Sequence, residues 1–377
     1  MKKRFIAALV LLVLLFVPFV ALAEEPPYDE ERYGELLSAY DLSAFEEELD
    51  SDTYDMLQSL GLLDFSYESL SGLQPDAVLT LLRDLIAEKI RSPLGSVSAL
   101  LIFIVLSALF SSLGSEESSM TPLYSTVSAL VIAAVLIVKL SPAVSLAATA
   151  IGVAADFIYA FMPMFVTIVI AGGGVTTGFA TNAMLLMLSQ GLSVLASQLF
   201  MPLTNCFLAI GICSSLKSDL RLDGVTRAIK QGLTGLLSFT AGSFVAVLSL
   251  KTAVASRADR LGVRSLRLVI NSVVPVVGSA LSEGLLSIES YASLIKSSVG
   301  IVGIAAVTLV FLPSLVELLL WRAVLRLAGI LCTVFDDQNV SGVLNVFADT
   351  VLLINVVLIV SALTTVITIG ILIAAGG

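Results

Sequence analysis

The chain has 377 residues, 57% of them hydrophobic and 13% charged, with a mean hydropathy of +1.02. Globular chains are about a quarter charged, and this much apolar surface exceeds what a water-soluble core can bury, so the sequence reads as an all-α, polytopic helical membrane protein. The net charge of −10 is uneven, with acid gathered in residues 24–90 and basic residues between 217 and 267; a basic nucleic-acid surface is excluded, and the lack of any histidine removes the commonest general base and zinc ligand.

The amino terminus, MKKRFIAALVLLVLLFVPFVALA, places Lys2, Lys3 and Arg4 before an apolar core that ends in Ala21-Leu22-Ala23. This is the layout of a secretory signal peptide over residues 1–23, with an uncleaved first span as the alternative. Either way the basic residues stay cytoplasmic and residue 24 emerges on the far side. Residues 24–96 are then a short acidic, helical, extracytoplasmic region. Within it PDAVLTLLRDLIAEKIRSPLG sets Val78, Leu81, Leu82, Leu85, Ile86 and Ile90 on one stripe, with Arg83, Asp84, Glu88 and Lys89 outside it. Pro75 and Asp76 suit the helix start, and Pro93 and Gly95 its stop. Packing of the stripe within the protein is the default expectation.

Residues 97–377 form the polytopic transmembrane domain. Candidate spans are 97–114, 123–140, 157–171, 180–200, 203–216, 231–250, 299–320 and 346–373, judged against the ~20 apolar residues that cross a bilayer. Residues 143–160 read as an extension of a neighbour. Five spans bring Lys217, Arg221, Arg227 and Lys230 to the cytoplasm, as positive-inside placement requires. A single crossing by 231–250 then puts Lys251, Arg257, Arg260, Arg264 and Arg267 outside. The alternative is that 231–250 dips in and returns while 269–288 crosses. Hydropathy favours the first and loop charge the second.

Two interruptions stand out. Gly172, Gly173 and Gly174 break the apolar run FMPMFVTIVIAGGGVTTGFATNAMLLMLSQG, where Thr176 or Thr177 suits the cap of a new helix. With no Gly-Lys-Ser/Thr following and no strand before it, the run is not a phosphate loop. It is either a tight turn between membrane helices or a broken helix lining a polar path, tolerated at membrane depth only where protein or water covers the backbone. In RSLRLVINSVVPVVGSALSEG, Asn271 precedes a break at Pro275 and Gly278, and Glu283 follows it; this is a discontinuous, re-entrant segment or an interfacial helical hairpin. Intramembrane polar candidates are Asp156, Gln190, Glu317 and Asp349, accompanied by Gln198 and Asn205. Glu317 has Arg322 as a local partner at the membrane edge, and Asp349 alternatively marks the start of the last span. Cys206, Cys213 and Cys332 read as small apolar packing residues. No nucleophile–base pair, metal cluster or cofactor box is present, so the sequence points to a protein that is not an enzyme and needs no cofactor.

The segments MPMFVTIVIAGGGVTTG and SLRLVINSVVPVVGSALSEG, with LIKSSVGIVGIAAV and the terminal TVITIGILIAAGG, resemble the stage III sporulation protein AE family of endospore-forming bacteria. The layout of signal peptide, acidic helical region and polytopic domain is similar too, and the likeness is weakest in residues 24–75. The resemblance implies a membrane subunit of the secretion-like channel complex joining mother cell and forespore, placed in the mother-cell membrane around the forespore and needed for late forespore development. It implies an ATPase, ring-forming proteins and a forespore-side protein as partners. It supplies no catalytic or ligand-binding residues. The alternative from the residues alone is a stand-alone small-solute transporter.

Overall fold

The computed structural model describes residues 29–374 apart from 41, 43, 44, 46, 48, 67, 68, 71, 72, 114–120, 180–186, 188–190, 192, 193, 217–222, 274–277 and 336. The signal-peptide reading, Gln190 and Pro275 fall outside the described residues. Every regular element among those described is helical. Three short helices come first: α1 (Glu30–Leu37), α2 (Ser51–Ser59) and α3 (Pro75–Lys89). Their starts follow local chemistry. The Asp29 carboxylate accepts from the Glu31 amide and that of Asp50 from the Thr53 amide, while α3 opens on a proline whose missing N–H costs nothing there.

Then come α4 (Arg91–Leu113), α5 (Thr121–Ala171), a π-helical turn Ala196–Phe200 leading into α6 (Met201–Leu216), α7 (Asp223–Val273), α8 (Gly278–Val334) and α9 (Gln338–Ala374). As expected, α3 ends shortly before Pro93 and Gly95, at Lys89 with Ile90 as its cap. Those two residues sit in the first turns of α4, where proline is tolerated. The candidate spans 123–140 and 157–171 are parts of the single helix α5, with 143–160 between them and Pro142 and Pro163 inside it. Among the described residues, six helical stretches are long and apolar enough to cross a membrane: 75–107, 124–171, 198–216, 224–261, 290–334 and 338–371. Because α7 is unbroken from Asp223 to Val273, residues 231–250 do not dip and return. Of residues 269–288, 269–273 belong to α7 and 278–288 to α8, and the residues between them lie outside those described.

At 1.5 Å per residue, α5 and α7, with 51 residues each, extend about 76 Å, and α8, with 57, about 85 Å. All exceed the ~30 Å hydrocarbon thickness. Side-chain contacts fix how they run. Phe161 and Gly303, then Gly172 and Ala292, place α5 antiparallel to α8. Arg326 with Asp349, then Gly300 with Ile373, do the same for α9. Gly211 against Val346 and Ser215 against Gly342 set α6 antiparallel to α9. α8 is the axis, with its central stretch almost wholly enclosed. Two of its glycines are needed for close approach: a Cβ on Gly303 would stand 2.7 Å from Phe161 Cζ, and one on Gly300 2.5 Å from Ile373 Cγ1.

The acidic N-terminal helices pack along this axis. Phe45 stacks edge-on against Phe65, Phe157 and Phe161, at centroid distances of 5.0, 5.3 and 6.0 Å. The Tyr33 hydroxyl donates to the Phe65 carbonyl at 2.8 Å. Tyr291 of α8 accepts from the Asp29 amide through its hydroxyl and carries the Arg32 guanidinium over its ring. Lys89, at the end of α3, acts electrostatically on Glu317 of α8. The N-terminal region thus lies beside α8 from Tyr291 to Glu317.

Candidate functional site

The glycine run is where α5 ends. The Gly173 amide donates to the Ile170 carbonyl and that of Gly174 to Val169, both at 2.9 Å, while Gly173 adopts φ +88°. This is the Schellman pattern, whose left-handed residue requires glycine at 173, while a Cβ on Gly174 would stand 2.9 Å from Val169 Cγ1 and 3.0 Å from the Val169 carbonyl oxygen. The chain then forms a short helical turn over 175–179. A Cβ on Gly178 would lie 2.8 Å from Ile170 Cγ1, so the turn doubles back on α5. The Thr176 and Thr177 side chains do not start it. Their backbone amides donate to the two carboxylate oxygens of Asp259 on α7, each at 2.8 Å. Burial pushes against the carboxylate, but charge-assisted interactions from the side chains and amides of Thr177 and Thr176 outweigh it.

Next to this turn stands Lys296 of α8, 3% exposed. One turn before it Ala292 touches Gly172, and one turn after it Gly300 meets Ile373 and Phe165. Arg260 of α7 repels it. Asp259, the acid adjacent in sequence to Arg260, is committed to the Thr176 and Thr177 amides.

A second polar centre joins α7, α8 and α9. Asp349 receives the Arg326 guanidinium on Oδ1 and the Lys230 ammonium on Oδ2, the latter at 3.0 Å. The other arm of Arg326 donates to Asn345 Oδ1 at 2.8 Å. Asp349 therefore does not mark a helix start: α9 begins at Gln338, and Asp349 lies well inside it. A third centre is Asp337, 5% exposed. Its carboxylate accepts from Ser107 of α4, from Ser125 of α5 at 2.8 Å, and from the Val340 amide at 3.2 Å, capping α9 while tying three helices together.

The remaining sequence candidates scatter. Asp156 is exposed on the outer side of α5, opposite Phe157 and Phe161. Glu317 is half-buried, one helical turn before Trp321. Asn271 falls in the last turn of α7, while Gly278 opens α8 and Glu283 follows in its second turn. Gln198 and Asn205 are exposed, as are Cys206 and Cys213, whereas Cys332 is buried. Sequence reasoning missed Asp259, Lys296, Asp337 and the partners of Asp349. Two carried a readable signal: Asp259 is the one acid in SRADRLGVR, and Lys296 the one charge between residues 290 and 316.

Among the described residues, long antiparallel helices, six of them fit to cross a bilayer, around an enclosed axial helix with a partly buried ion-pair cluster, define a polytopic all-α membrane protein. The family model for stage III sporulation protein AE matches residues 64–376, and the chain belongs to that family. It is similar to the stage III sporulation protein AE of Bacillus subtilis (strain 168), at 21% identity over 283 residues covering 75% of this chain and 71% of that one. No solved structure matches it.

Proposed function

We propose that this sporulation-family protein is a non-catalytic membrane subunit of the channel complex connecting mother cell and forespore, seated in the mother-cell membrane around the forespore. The observation that carries this reading beyond the family is the mismatch between helix length and bilayer thickness. The charged faces of α1–α3, with Glu30, Glu31, Asp52, Asp55, Asp84 and Glu88 exposed, flank α8 as far as Glu317. Hydrocarbon cannot cover that flank. Past Glu317 the surface changes: Ile102, Val105 and Leu109 of α4, Val127, Leu130 and Val138 of α5, and Leu327 and Val334 of α8 are all exposed and apolar. From Leu94 to Leu113, α4 gives 20 residues, about 30 Å, one bilayer core.

In this reading the membrane belt holds α4, the first half of α5, α6, the first part of α7, the end of α8 and the first half of α9. The other halves rise out of it as a head, capped by the glycine turn and clad by the acidic helices. With residue 24 outside the cytoplasm, the head faces the space between the two membranes, where ring-forming and forespore-side partners would meet it; the ATPase would meet the opposite face, at the end of α6.

A tagged chain purified from sporulating cells tests this. Recovery of ring-forming and ATPase partners is expected, and recovery of the protein alone overturns the reading. The Arg257→Cys variant should label from outside the cell. The second reading, a stand-alone small-solute transporter, is favoured by one observation, the Asp349–Arg326–Lys230 cluster within the belt. It predicts solute uptake by the purified chain in vesicles, abolished by Asp349→Asn.

A further inference from the structure

Two contacts fix the register of α4 against α8. Lys89, just before α4, lies near Glu317, and Ser107 donates to Asp337. The sequence offsets are almost equal, 228 and 230, so the two helices run parallel. Between these meeting points a groove of about 370 Å³ separates them, open on its outer side. Its walls are Leu94, Val97 and Leu101 on α4 and Leu327 and Leu331 on α8, over a floor of Ala328. No polar atom lines it.

The groove lies in stretches apolar enough to span a membrane, so its surroundings are lipid rather than water. Its size decides between occupants. An α-helix about 10 Å across needs roughly 1,200 Å³ for ten residues, three times what is present, so a second copy or a partner helix could insert only side chains and not its body. At roughly 30 Å³ for a group the size of a water or a methylene, the groove takes about a dozen such groups, most of one acyl chain. Left empty, its walls would forfeit their dispersion contacts.

One end is marked by charge. Arg91 is exposed one helical turn before Leu94, on the same side of α4, at the rim where the acidic helices begin. Lys89 beside it is spent on Glu88 at 2.8 Å, whereas Arg91 has no ion-pair partner among the described residues. A guanidinium at a lipid rim suits a phosphate oxygen.

We propose that the α4–α8 groove is a binding site for one anionic phospholipid, with an acyl chain between Leu94 and Leu331 and its phosphate on Arg91. The lipid completes the packing of α4 against the axial helix, and the site stands independently of the channel reading.

Trp321 is the single tryptophan of the chain and lies one turn before Val324, which also borders the groove. Its fluorescence reports on the site. The full-length protein is reconstituted in phosphatidylcholine vesicles containing a small fraction of either phosphatidylglycerol or phosphatidylcholine with brominated chains. Brominated phosphatidylglycerol should quench Trp321 at a mole fraction about tenfold lower than brominated phosphatidylcholine. Arg91→Gln should abolish that preference while leaving the groove able to take either lipid. Val97→Phe, which fills the groove from its wall, should reduce quenching by both, and Ala328→Leu should repeat the effect from the floor. Equal quenching by the two lipids in the unsubstituted protein overturns the proposal, as does disulfide crosslinking of Leu327→Cys between copies in the membrane.

Discussion

Asp259 on α7 holds the Thr177 backbone amide, and with it that of Thr176, 82 residues away in sequence and just past the turn that ends α5. A helix start leaves amides without intrahelical partners, and here a carboxylate from another helix supplies them. Removing it by Asp259→Ala should destabilise the protein by about 2–3 kcal/mol, the range for two charge-assisted bonds partly open to solvent. Asp259→Asn keeps one acceptor and should lose roughly half of that. Thermal unfolding of the detergent-solubilised protein measures both. An alanine variant as stable as the unsubstituted chain would mean that water serves these amides equally well.

The three glycines of the turn should not be equivalent. Gly173 is left-handed, so Gly173→Ala should cost about 1–2 kcal/mol from backbone strain. Gly172→Ala has only to push Ala292 from 3.3 Å, and Ala292 sits on a helix that can yield slightly; it should be close to neutral. A larger loss for Gly172→Ala than for Gly173→Ala in the same unfolding measurement would refute the Schellman assignment.

How much of this was legible follows from what kind of signal each feature leaves. Helical class and membrane residence are properties of composition and run length, and they read directly. The number of spans did not, because hydropathy windows are ~20 residues long while α5 carries apolar sequence for 51. The amphiphilic stretch 143–160 made one helix look like two. The charge paradox around Lys251–Arg267 had the same origin: positive-inside placement concerns charges near a membrane end, and in a single helix from Asp223 to Val273 run length does not mark where that end falls. Asp349 could be picked out as an acid in an apolar run, but not its partners. Lys230 and Arg326 lie 119 and 23 residues from it, and only the packing of α7 and α8 on α9 brings them together. Asp259 was hidden among arginines, where a local reading pairs it with its neighbours.

Truncation of Asp349 should be far more harmful than its neutralisation together with its partners. Asp349→Ala leaves Lys230 and Arg326, each 34% exposed, facing each other without their shared partner, a loss on the order of 1–2 kcal/mol. The triple variant Asp349→Leu, Lys230→Met, Arg326→Met removes both the charges and their desolvation, and should recover most of that. Comparing the two by unfolding separates a structural ion pair from a working one. If the triple variant is stable yet sporulation in a strain lacking its own copy fails, the cluster is needed for activity rather than for folding.

Phe45 holds the acidic helices to the axis, stacking on Phe157 and Phe161, which in turn rests on Gly303. It is 1% exposed, and its three ring contacts come from two separate parts of the chain. Phe45→Ala removes the largest apolar anchor of the N-terminal region and should cost about 3–5 kcal/mol. That exceeds what the remaining polar contacts at Tyr291 can restore, since each net hydrogen bond contributes only about 1 kcal/mol. The helices α1–α3 should therefore detach while α4–α9, held by their own packing and the bilayer, stay folded. Limited proteolysis in vesicles reads this separation: cleavage between residues 38 and 74 should accelerate at least tenfold, with the membrane-embedded fragment protected. Phe45→Leu keeps most of the buried area and should restore resistance, a rescue that depends on docking rather than on the fold of the short helices themselves.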